Sequence, residues 1–97
     1  MDDTEDVQLP IDGTLDLHTF SPREVGELVP AYLAACRTRG ILRVRIIHGK
    51  GTGTLRRSVQ AILERTAGVQ SFRPADEGGG GWGATLVEVE PLAKAEE

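Results

Sequence analysis

Asp16 and His18 are the first residues along the chain whose types and spacing suit acid–base chemistry. They lie in Thr14-Leu15-Asp16-Leu17-His18, where apolar and polar residues alternate. In an extended strand residues i and i+2 share a face, so the carboxylate and the imidazole project from one surface. An imidazole titrates near ~6.5 and can give or take a proton at neutral pH. A nearby carboxylate orients the ring and favours its charged form. A solvated polar pair on the outer side of an edge strand would leave the same pattern.

A second constellation is His48-Gly49-Lys50-Gly51-Thr52-Gly53-Thr54, between an apolar run and a helical pattern. The unpaired amides and positive dipole end of a helix N-terminus favour an anion. Glycines let the backbone approach a phosphate, Lys50 adds a point charge, and Thr52 and Thr54 add hydroxyls. Arg56 and Arg57 follow in the first helical turn, where a cation opposes the dipole unless an anion offsets it. The spacing is neither the nucleotide-triphosphatase loop nor the dinucleotide fingerprint. A glycine-rich turn that serves only geometry is the alternative to phosphate binding.

Trp82, the single Trp, follows Gly78-Gly79-Gly80-Gly81. It could stack on a base or cover one end of the core. Cys36 falls on an apolar helical face and reads as core. With two histidines and one cysteine, no built-in zinc site is expected and no disulfide can form within the chain.

The elements that must position these groups follow from periodicity. Residues 14–18 form a short strand. Ser21-Pro22-Arg23-Glu24 is a capping box with proline at the first helical position. Val25, Leu28, Val29, Tyr32, Leu33 and Cys36 continue it as one helical face, ended by Gly40. Pro30 inside the pattern predicts a kink or a break. Residues 42–48 form the clearest strand, with Leu42, Val44 and Ile46 alternating with Arg43 and Arg45. A second helix runs from about Leu55 to Thr66 and stops at Gly68. Val69 to Arg73 is a third strand, residues 76–81 a flexible loop, and residues 83–90 a last strand with Thr85, Val87 and Val89 on one face. The order βαβαββ predicts an α/β two-layer sandwich, with a four-stranded mixed sheet and both helices on one face. Its two βαβ crossovers should be parallel, and its final hairpin antiparallel.

The 97 residues suffice for one domain, and 39% hydrophobic with 27% charged residues is the composition of a soluble globular chain. Residues 1–12 and 92–97 read as polar tails around a domain at 13–91. No run is long enough to cross a bilayer, and the acidic start lacks the pattern of a signal peptide. A cytoplasmic location is therefore expected. The net charge of −4 conceals a segregation: of 11 Lys and Arg, seven lie between Arg37 and Arg57, a window without Asp or Glu. A polyanion responds to that local field rather than to the sum.

Taken together, Leu15-Asp16-Leu17-His18, His48-Gly49-Lys50-Gly51-Thr52-Gly53 and Gly81-Trp82-Gly83-Ala84-Thr85 resemble the Smr (small MutS-related) domain, over roughly residues 14–89. The resemblance implies a fold similar to the C-terminal domain of translation initiation factor three. It also implies a nucleic-acid-binding domain that cleaves RNA or nicks DNA, with Asp16 and His18 implicated in cleavage and residues 48–53 in substrate binding. The chain departs at Thr19, where the family pattern has glycine, so the loop after His18 is expected to differ. On RNA, His18 would serve as base or acid, with His48 in the other role. Lys50, the loop amides and Arg43, Arg45, Arg56 and Arg57 would hold the phosphate. That route needs no cofactor, whereas DNA cleavage would need an activated water and could use a divalent cation at Asp16. A non-catalytic nucleic-acid-binding or adaptor module is the rival, and targeting could require a protein partner.

Overall fold

In the computed structural model, residues 10–49, 53–75 and 83–92 are described. Lys50, Gly51, Thr52, the loop 76–81 and Trp82 lie outside the described residues, as do residues 1–9 and 93–97 of the two expected tails. The elements follow in the expected order: β1 (Thr14–Asp16), α1 (Pro22–Thr38), β2 (Arg43–Ile47), α2 (Thr54–Glu64), β3 (Val69–Pro74) and β4 (Ala84–Val89).

Helix α1 begins as its sequence requires. Glu24 N–H donates to Ser21 Oγ at 3.3 Å, and Ser21 N–H donates to Glu24 Oε1 at 2.8 Å, satisfying two amides that would otherwise lack partners. It ends in a Schellman motif, with Gly40 N–H on Arg37 O at 3.1 Å and Ile41 N–H on Cys36 O at 2.8 Å. Of the kink or break expected at Pro30, the break does not occur, and the helix runs unbroken from residue 22 to 38. Pro30 takes one hydrogen bond from the carbonyl of Gly26, which lies on the exposed side where water can replace it.

The sheet has the order β1-β2-β4-β3. β1 and β2 are parallel, and β4 is antiparallel to both β2 and β3. The last strand thus inserts at the centre, so β2 and β3 are parallel but not adjacent. Burial explains this placement: Ala84, Thr85, Val87 and Val89 are all buried, and only a central strand is covered along both edges. In β1 and β2 the alternate residues Leu15, Val44 and Ile46 are buried while Thr14, Asp16, Arg43 and Arg45 are exposed. Both helices therefore cover one face of the sheet and leave the other open.

A bulge between Val69 and Ser71 was not anticipated from the sequence. Val69 and Phe72 are three apart and would face opposite ways in a regular strand. The extra residue resets the parity, so Val69 pairs with Val89, Phe72 pairs with Val87, and both pack on the core. Residues 10–12, assigned to the tail by sequence, lie against the domain. Ile11 packs on the core, and the Tyr32 hydroxyl reaches Thr14 O at 3.0 Å while accepting from Gly13 N–H at 3.1 Å.

Gly40 and Gly68 both have a positive φ, in different surroundings. Gly40, at φ +78°, faces open space. Gly68, at φ +94°, lies under the guanidinium of Arg37, whose Nε donates to Glu90 O at 2.7 Å. A Cβ at Gly68 would collide with that guanidinium. Gly40→Ala is expected to cost about 1 kcal/mol from φ alone. Gly68→Ala should cost about 1 kcal/mol more, because it also displaces Arg37 and its hydrogen bond. Chemical denaturation of the two variants checks the difference, and Arg37→Ala added to Gly68→Ala should cost little more, because the hydrogen bond is already lost. Equal losses at the two glycines would show that Arg37 does not matter there.

Candidate active site at the carboxyl ends of the parallel strands

β1 and β2 end side by side, with Asp16 opposite Ile47 and Leu17 N–H donating to Ile47 O at 2.9 Å. The chain then turns, closed by Phe20 N–H on Leu17 O at 2.9 Å, with His18 and Thr19 as the central residues. No residue other than glycine has a positive φ among the described residues, so Thr19 fits this turn without strain. The departure from the family pattern is thereby accommodated.

One carboxylate oxygen of Asp16 organises the turn. Oδ1 accepts the His18 backbone N–H at 3.0 Å and lies 2.8 Å from His18 Nδ1. The first contact is an Asx turn, which fixes the carboxylate and lets it hold the ring. A carboxylate only accepts, so Nδ1 carries the proton and Nε2 is left to face solvent. The hydrogen bonds from His18, side chain first and then backbone, hold the Asp16 carboxyl below the usual carboxylate range. Asp16 therefore stays ionised wherever the imidazole works. Both side chains are open to solvent, His18 at 70% and Asp16 at 48% of full exposure. Such a pair can orient a base, polarise it, and present its free nitrogen to a large substrate.

His48 has the opposite placement. Extending the register by one residue sets Leu17 beside His48. Residues across a parallel pair share a face, so His48 turns with Leu17 toward the core, while His18 lies in the turn beyond β1, with its ring on the open-face Asp16. The two imidazoles thus leave neighbouring strand ends on opposite faces of the sheet. His48 is buried; its Nδ1 lies 3.0 Å from Gly49 O and its Nε2 lies 2.9 Å from Thr85 Oγ1. A carbonyl cannot donate, so Nδ1 donates to it and Nε2 accepts from the Thr85 hydroxyl. Burial pushes the His48 pKa down, the Gly49 carbonyl opposes that shift, and the Arg56 guanidinium adds to it. The ring is a neutral tie between β2 and β4. Two further bonds reinforce it, with His48 N–H and Gly49 N–H both donating to Gly83 O at 2.7 and 2.9 Å.

Helix α2 starts at the same end of the sheet. Gly53 is its N-cap and supplies no side-chain bond, and its first turn has no carboxylate. Arg56 is half-buried and Arg57 exposed in that turn. Arg43 and Arg45 lie on the open face of β2, with Arg43 Nε 3.7 Å from Glu88 Oε2. Lys50, Gly51, Thr52 and Trp82 are outside the described residues. Sequence reasoning missed the structural roles of Gly83 and Thr85 in this site. Thr85 gave a signal: a hydroxyl in the buried row with Val87 and Val89 needs a partner.

With this geometry in place, comparison with known proteins is direct. The chain belongs to the Smr domain family, whose model matches residues 15–90. Endonuclease MutS2 of Bacillus cytotoxicus is 51% identical over 61 residues, 63% of this chain and 8% of that protein. Endonuclease MutS2 of Bacillus thuringiensis is 49% identical over the same length and shares. The chain thus spans about 8% of the length of these curated relatives. The crystal structure of the Smr domain of Thermus thermophilus MutS2 superposes with a TM-score of 0.76 at 36% identity, covering 82% of this chain and 100% of that one. YdaL, a stand-alone small MutS-related protein from Escherichia coli, superposes with a TM-score of 0.71 at 27% identity, covering 89% and 70%. Both agree with the βαβαββ sandwich.

The burial of His48 makes stability depend on pH. In the unfolded chain its imidazole titrates near ~6.5, and in the folded protein below that. Between the two values the unfolded chain holds a proton that the native state lacks, so stability falls as pH drops. It is complete above about 6.5 and declines toward the folded value. Thermal melts from pH 8 to 5 should show the midpoint falling on acidification, and His48→Gln should flatten that slope. An unchanged slope in the variant would assign the dependence to another group.

Proposed function

We propose that this chain is a nucleic-acid-binding endonuclease domain in which His18, held by Asp16, moves the proton during phosphodiester cleavage. The observation that carries this reading is the 2.8 Å contact from Asp16 Oδ1 to an exposed His18 ring, at the carboxyl ends of the parallel strands. The family and the endonuclease relatives support it.

RNA is the favoured substrate because it carries its own nucleophile. A 2′-hydroxyl attacks the neighbouring phosphorus as Nε2 of His18 takes its proton. The bond from phosphorus to the 5′-oxygen breaks, leaving a 2′,3′-cyclic phosphate and a 5′-hydroxyl. In-line displacement sets entering and leaving oxygens on opposite sides of phosphorus, so one imidazole serves one of them. With both nitrogens of His48 engaged, the leaving oxygen takes its proton from solvent or from Lys50. The α2 N-terminus, Arg56 and Arg57 hold the phosphate and offset developing charge. DNA would need an activated water, with a divalent cation at Asp16 in that case.

Labelled single-stranded RNA and a supercoiled plasmid, each with and without EDTA, test this. Wild type should cut RNA in EDTA, and His18→Ala should slow it by about 10²–10⁴-fold. Asp16→Asn should also slow it by letting the ring turn and change tautomer. If wild type leaves every substrate whole yet shifts it on a gel, the domain is a binding module. Cutting by His18→Ala at the wild-type rate would remove His18 from the chemistry.

A further inference from the structure

The helices leave one face of the sheet open, and its side chains fall into rows set by the strand register. Thr14, Arg45, Leu86 and Arg73 form one row across all four strands. Asp16, Ile47 and Ala84 form the next, about 7 Å nearer the site by strand geometry. Arg45 and Arg73 are both exposed and are separated by two strand spacings, about 10 Å.

Neither guanidinium has an ion-pair partner among the described residues, whereas Arg43 is 3.7 Å from Glu88. Between them Leu86, and beside them Ile47, are half-buried apolar side chains. The open face thus offers two cations without an ion-pair partner among the described residues, around an apolar floor, and it leads to the acid–base pair.

We propose that this open face is the track on which single-stranded RNA lies as it enters the site, with Arg45 and Arg73 as its contacts. The proposal rests on reading Asp16 and His18 as the cleavage pair, since RNA is preferred for its internal nucleophile. Phosphates meet the arginines, unstacked bases lie against the guanidinium planes, and sugar and base edges cover Leu86 and Ile47. Sequence reasoning passed over Arg73, because only the β3–β4 register puts it in the row of Arg45.

Binding of a fluorescent 12-nucleotide single-stranded RNA, followed by anisotropy against salt, tests the track. The full chain carries His18→Ala, so the RNA stays whole and binding is read apart from cleavage. Arg45→Gln and Arg73→Gln keep the stem and sit at exposed positions, and unchanged melting curves confirm the fold. Together they should weaken binding by about tenfold or more and reduce the salt slope by about 1.4, two single-strand contacts' worth. Arg23→Gln and Arg65→Gln, on the helix layer, should bind as the parent does.

Binding unaffected by the double variant would overturn the proposal. So would equal losses from the helix-layer variants, which would show only bulk charge. Single-stranded DNA of the same sequence binding as tightly would overturn the choice of RNA. A wild type that cleaves nothing while the arginine dependence holds would remove the nuclease reading and leave the track standing.

Discussion

The register between β1 and β2 is the constraint on which the site depends. β1 is only three residues long, and it holds its place through Leu15 and, just beyond it, Leu17, which are both buried. Each leucine is worth about 1.5–3 kcal/mol in the core. A slip of one residue would turn both outward and carry Asp16 and His18 into apolar surroundings. Two core leucines therefore decide where the two polar residues between and after them stand.

A short edge strand needs more than burial, and both of its ends are tied. At its start, the Tyr32 hydroxyl joins the backbone of Gly13 and Thr14 to the middle of α1. At its far end, Leu17 N–H reaches β2, whose own end is fastened to β4 by the His48–Thr85 contact and the Gly83 carbonyl. Each such bond contributes about 1 kcal/mol net, but leaving a buried partner unpaired costs more. The ties therefore act mainly by penalising any other arrangement. β4 can serve as the anchor because it is the central strand, and its hydroxyl at Thr85 would be a liability without His48.

Much of this was legible in the sequence, and the reasons are local. The capping box, the glycine that ends α1 and the alternation in β2 are each encoded within a few neighbouring residues. Asp16 and His18 share a strand, so their common face needed no tertiary information. What depended on offsets between strands was not legible. Two segments that each end in histidine suggest an imidazole pair around one phosphate. A register offset of one residue sends the second imidazole to the core instead. The central position of β4, the bulge at Val69 and Ser71, and the alignment of Arg73 with Arg45 are likewise properties of pairing. The helix continues through Pro30, since one lost hydrogen bond on an exposed side does not outweigh a helix whose buried face packs along its length.

The contrast between the two histidines bears on how an open site could work. His48 is desolvated, neutral and committed to structure. His18 and Asp16 stand in water, where a hydrogen bond to a carboxylate is worth far less than in a dry site. Such a pair does little until something displaces the solvent around it. A nucleic-acid strand on the open face would do so, lowering the local dielectric and aligning the scissile bond in one step. The exposed sheet and the exposed dyad then belong to one arrangement, in which the substrate completes the site.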